Sequence, residues 1–429
     1  MVHAPHARLP HPPLLSAGPL ALAMRRLAPG DARATHAQRT AYLRRYTQLG
    51  DPEADAVVAM FARLPPGQGR RLFEAALEYG IDTLIAPPDE LREFFAAIDE
   101  VPYWVDTDQL ERGCRVIGRA GPVGATALAM LALCGGYLAA RVAKPLVATG
   151  ELAAMAPRRL GATMRWWTAV TTPGGMDRYA PGFTATVRVR LTHALVRAGL
   201  SRRPDWDHTA WDTPLNASQL AGTITLFALA HLAGSQAFGI HFTAAERESV
   251  YAVWRYIGHV MGVRPQILPS TERDAWRMWW LQSDYEFRQP DQDSKLLAQA
   301  LISAIGPLCI GHGENLPSRL GRTMVTESMS AYARLILGRD NADFLGLADR
   351  KAFQACIIAA AAAAAVLEYP RRAIPGATRC AETIGRRAIV TLTRRMAVLQ
   401  DCAVPSESAT ATPLRPASST RARNRRPCT

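Results

Sequence analysis

Arg188-Val189-Arg190-Leu191-Thr192-His193-Ala194-Leu195-Val196-Arg197 follows a glycine- and proline-rich turn and is helical in composition. In a helix, Arg190, His193 and Arg197 stand at i, i+3 and i+7 and share one face. An imidazole beside cationic side chains resists protonation, which keeps a nitrogen lone pair free for a metal. Most lone helical histidines are hydrogen-bonded structural residues, so the segment acquires weight only from what surrounds it.

Outward from it, helix signals dominate. Asp51-Pro52-Glu53 opens a helix over 54–64, apolar spacing makes 89–98 amphipathic, and Ser270-Thr271-Glu272-Arg273-Asp274 reads as a capped helix start. Pro173-Gly174-Gly175 and Ala180-Pro181-Gly182 read as turns, and strand signals are sparse. Residues 121–140, 213–245 and 355–367 carry few or no charges. Rich in small residues and without aromatic belts, they are expected to be helices buried on all sides, with no integral membrane insertion. The expected architecture is all-α: a flexible segment at 1–34, one helical domain at 35–404, and a disordered basic tail at 405–429 with almost nothing to bury.

A chain of 429 residues with 48% hydrophobic content buries a sizeable core. The net charge of +13 sits largely in the tail Ser-Thr-Arg-Ala-Arg-Asn-Arg-Arg-Pro (419–427) and in pairs such as Arg371-Arg372, Arg386-Arg387 and Arg394-Arg395. No zinc-finger, helix-turn-helix or RNA-binding signature accompanies it, so nucleic acid is not an expected partner. The seven cysteines are scattered and none stands at C-x-x-C spacing, so disulfides are not expected. The apolar run at 14–24 is followed, not preceded, by Arg25-Arg26, the reverse of a signal peptide. A cytoplasmic monomer is the expectation, with secretion as the alternative.

Two further segments add polar residues. Arg159 and Thr163, in Arg158-Arg159-Leu160-Gly161-Ala162-Thr163-Met164-Arg165-Trp166-Trp167, share a face at i, i+4. An arginine pairs carboxylates and a hydroxyl donates to a bound oxygen species. Taken singly, they read equally as a surface ion pair and a back-bonded threonine. Asn216-Ala217-Ser218-Gln219-Leu220-Ala221-Gly222-Thr223-Ile224-Thr225-Leu226-Phe227 leaves room for a flat ligand, with Thr225 its candidate polar group, although helix packing accounts for Thr225 nearly as well. His231 lies six residues beyond Thr225, on the opposite face, which favours packing. His241 and His259 have no motif support, His312 in its glycine-flanked turn reads as a loop residue with a place at an entrance as the alternative, and Trp276, Trp279 and Trp280 read as core.

Together with Gly50-Asp51-Pro52-Glu53-Ala54-Asp55-Ala56-Val57-Val58, these segments resemble, in order and spacing, the latex clearing protein family of rubber oxygenases, over roughly 49–336. The resemblance implies a globin-like helical bundle enclosing one b-type haem, and oxidative cleavage by dioxygen of double bonds in a polyisoprenoid. It makes His193 the proximal iron ligand and places Arg159, Thr163 and Thr225 around the haem. With no C-x-x-C-H in the chain, such a haem is non-covalent. The family carries a lysine immediately before the matched threonine, where this chain has Ala162, so the iron is expected to be five-coordinate or to bind water or another side chain opposite His193. The family's acidic residue ahead of the arginine has no secure counterpart; Glu151 is the nearest glutamate. A haem oxygenase of a small intracellular terpenoid or lipid, and a haem-binding sensor or carrier without turnover, are the alternatives.

Overall fold

The computed structural model describes residues 36–150, 152–287 and 290–403, and no β-strand occurs among them. The expected flexible N-terminal segment and basic tail, and Glu151, lie outside the described residues.

The central element is helix Ala217–Ala237, opened by Asn216, whose side chain accepts from the Gln219 amide at 3.0 Å. It is apolar on nearly every side, and its small residues admit close neighbours: a Cβ on Gly234 would stand 2.5 Å from that of Ala127. Helices Thr107–Ala127, Ala244–Val260 and Glu272–Glu286 pack around it. Helix Thr107–Ala127 kinks at Gly121, whose φ of +50° suits glycine ahead of Pro122, and runs on into a π-helical stretch, Leu128–Cys134. There the Gly135 amide donates to the Met130 carbonyl, five residues back, at 3.1 Å.

The cap signals are realised. Asp51 caps helix Pro52–Arg63 with Pro52 in its first turn, Thr271 and Asp274 form a capping box on helix Glu272–Glu286, and helix Asp89–Asp99 buries Leu91, Phe94, Phe95 and Ile98. Two expectations need correction. Ala180-Pro181-Gly182 is the start of helix Pro181–Ser201 and not a free turn, because proline at the first helical position gives up an amide that has no partner anyway. The uncharged stretch 355–367 is not buried: it belongs to helix Lys351–Ala373, which has no buried residue. That helix rests on Leu316–Leu337, with a lesser contact to Ala377–Ala403, and leaves Ile358, Val366, Leu367 and Tyr369 exposed. By length and composition alone it is long and apolar enough to cross a membrane, as are Thr107–Leu138, Ala217–Ala237 and Gln292–Ile310, which the fold itself buries by half or more.

Candidate active site

A cavity of about 390 Å³ lies where helices Ala140–Ala148, Leu152–Val170, Pro181–Ser201, Ala217–Ala237 and Glu272–Glu286 converge on the stretch following the π-helical turn. Its walls are mainly apolar, with Leu133, Val142, Leu220 and Trp279 among them. Trp166 and Phe227 meet edge to face at 5.4 Å, and the Trp166 indole is fixed by its hydrogen bond to Thr186 Oγ1 at 3.0 Å.

His193 lines this cavity, and its ring makes no hydrogen bond among the described residues. Burial is the main reason its pKa falls to about 4; Arg197 adds to the fall and Asp51 opposes it. The imidazole is therefore neutral at physiological pH. The arginines that share its face contribute less to this than their sequence positions imply, because carboxylates compensate both. Arg190 donates to Asp51 through two bonds, 2.6 and 2.8 Å, and Arg197 donates to Asp55 at 2.7 and 2.9 Å and to the Leu215 carbonyl at 2.9 Å. The start of helix Pro52–Arg63 thus clamps the His193 helix. Burial works against ionisation of Asp51, but its bonds to Arg190 more than offset this and hold the carboxyl below the usual range.

Ala162 and Thr163 join His193 in the wall, and the Thr163 hydroxyl makes no hydrogen bond among the described residues. Arg159 and Thr225 are not in the wall. Arg159 donates to the Leu146 carbonyl at 3.0 Å and to Thr149 Oγ1 at 2.6 Å, bracing a segment that supplies lining residues. Thr225 is buried and donates to the Ala221 carbonyl at 2.7 Å; Thr223, two positions earlier, is the lining threonine. Two helical residues subtend roughly 200°, so the two hydroxyls point apart.

None of the competing histidines lines the cavity. His231 is fully buried against Trp167 and Phe242, His259 stacks on Tyr256, and His241 and His312 are exposed. Trp279, Gln219, Gln282 and Glu286 are among the lining residues not singled out from the sequence as site residues. Glu286 sits at the end of a helix and is 5% exposed; neither of its oxygens has a partner, and burial pushes its carboxyl up to about 7.

A model of the catalytic domain described as "ER-bound oxygenase mpaB/B'/Rubber oxygenase" matches residues 122–367, more than half of the chain. The chain belongs to this oxygenase family. A rubber oxygenase of Streptomyces sp. (strain K30) is 25% identical over 284 residues, 64% of this chain and 64% of the relative, so the match spans slightly under two thirds of that protein. The structure of latex clearing protein in its closed state superimposes with a TM-score of 0.57 at 19% identity, covering 80% of this chain and 91% of that one. The all-helical architecture is therefore shared with latex clearing protein. The family match includes Thr163, His193 and most of the cavity wall, and runs on past 336, where the sequence resemblance fades.

Proposed function

We propose that this chain is a haem b-dependent dioxygenase that oxidatively cleaves carbon-carbon double bonds of a polyisoprenoid-like chain, with His193 as the protein ligand to iron. The observation that carries this reading is the neutral, unpartnered imidazole of His193 in the wall of an apolar cavity, within a chain of an oxygenase family.

The residues fit the group. Among the described residues no three His, Cys, Asp or Glu side chains gather to hold an ion, so a metal at His193 takes its remaining ligands from a cofactor. Haem held there supplies the iron at which dioxygen is activated. The protein supplies the surroundings. Burial keeps the His193 lone pair available, the mainly apolar walls suit a flat apolar ring, and the Thr163 hydroxyl, with no partner among the described residues, is free to donate into the cavity. Arg159 acts by bracing the 146–149 segment, and Thr225 by packing within its helix. Among the described residues no lysine and no second histidine lines the cavity, and the Ala162 methyl cannot ligate, so His193 would be the one imidazole or amine that the wall offers to iron.

Incubation with polyisoprene latex under dioxygen, followed by carbonyl labelling, is expected to yield a ladder of oligomers with ketone and aldehyde ends. Oxygen uptake without a ladder would rule out the polymer and leave a smaller isoprenoid as substrate.

A further inference from the structure

Three hydrogen-bonding side chains in the cavity wall keep unused capacity. Glu286 is buried and both of its carboxyl oxygens lack a partner. One turn earlier, Gln282 commits its amide nitrogen to Ser218, at 2.5 Å to the carbonyl and 3.3 Å to the hydroxyl, and its own carbonyl oxygen lies against Gly222. Gln219, next to Ser218 on the facing helix, is 5% exposed and makes no side-chain hydrogen bond among the described residues. The Ser218–Gln282 contact joins the two helices, and all three side chains line the same, otherwise mainly apolar space.

The unpartnered atoms of Glu286 and Gln219 lose the hydrogen bonds of water on folding and regain none, so apolar side chains of similar size would serve the fold better at those two positions. Orphaned polar groups persist where a ligand completes them. The nearest charges do not complete Glu286: Arg141 donates to the Tyr285 and Ala210 carbonyls, and Asp212 is held by Thr47, Gln48 and Tyr285. Near neutrality the Glu286 carboxyl is present in both forms, donating as the acid and accepting as the carboxylate, while the Gln219 amide offers both functions at once. A hydrocarbon has nothing to exchange with these groups. A hydroxyl, donor and acceptor in one atom, does.

We propose that Gln219, Gln282 and Glu286 form a subsite for a neutral hydroxyl, so that the ligand of this cavity is an isoprenoid alcohol and not a pure hydrocarbon. The assignment rests on the isoprenoid reading above and narrows it.

Equilibrium dialysis of the purified protein tests this with a ten-carbon isoprenoid alcohol and the hydrocarbon that lacks only its hydroxyl. Wild type is expected to prefer the alcohol by about tenfold or more. Glu286→Leu and Gln219→Leu should each bring the ratio close to one without weakening the hydrocarbon, whereas Glu286→Gln keeps part of the preference. Both leucine variants should melt at or above the wild-type temperature, a gain in stability with a loss of selectivity that a structural role would not produce. Equal binding of the two ligands by wild type, or an undiminished preference in both leucine variants, overturns the subsite alone. Binding of neither ligand overturns the isoprenoid reading together with it.

Discussion

Asp51 serves two partners: it caps helix Pro52–Arg63 through the Ala54 amide and grips Arg190 in a buried two-point pair. Asp51→Ala leaves that guanidinium only one carboxylate contact, the longer one to Glu53 at 3.4 Å, and the expected loss in urea unfolding is about 3 kcal/mol; a loss below about 1 kcal/mol would show that the pair carries little weight. His231 gives a pH-dependent counterpart. Burial lowers its pKa from 6.5 to about 4, so the unfolded chain takes up a proton between those values and the folded chain does not. Stability is intact above pH 6.5 and declines as pH falls toward 4, by about 3 kcal/mol from this residue. His231→Leu should match or exceed wild type at pH 7, because two unpartnered nitrogens disappear, and should soften the acid decline; parallel declines in the two proteins would refute the assignment. At this scale the sequence was legible where a motif set the phase: His193, singled out there, lines the cavity. Which of Thr223 and Thr225 meets the cavity is not legible in the sequence, because helix Ala217–Ala237 is apolar all round and offers no stripe from which to read a face. Glu286 was invisible because a glutamate at the end of a helix reads as a surface residue.

Helix Ala377–Ala403 crosses Thr107–Ala127 through glycines. A Cβ on Gly385 would collide with the Gly118 carbonyl oxygen and stand 2.6 Å from that of Arg119, and Gly121 faces Gly385 from the other side. Gly199, in helix Pro181–Ser201, has open space at the same position. Gly385→Ala should therefore lower stability by about 1–3 kcal/mol through overpacking. Gly199→Ala should raise it by about 0.5–1 kcal/mol through helix propensity. Thermal melts of the two variants read opposite signs, and a shared sign would contradict the crossing. Helix starts were legible because caps are local chemistry. The fate of 355–367 was not, since an alanine-rich helix looks the same whether the fold covers it or leaves it outside, as it does here. The π-helical turn was likewise hidden: one extra residue in a hydrogen-bonded ring leaves no trace in apolar spacing.

Over the whole molecule, the segments that carried the resemblance are joined in space. Asp51 and Asp55 hold the arginines on either side of His193, Thr163 faces the same cavity, and the 216–227 segment supplies Gln219, Thr223 and Phe227 to its wall. Their spacing along the chain was the visible part; their convergence on one apolar space is what the fold adds. His193 is the residue proposed to bind haem iron. Absorption spectra of wild type and His193→Ala, each purified and supplied with haem, test this most directly. The expected result is a Soret band in wild type that is lost in the variant; a band retained in His193→Ala, or no haem uptake by wild type, would contradict it.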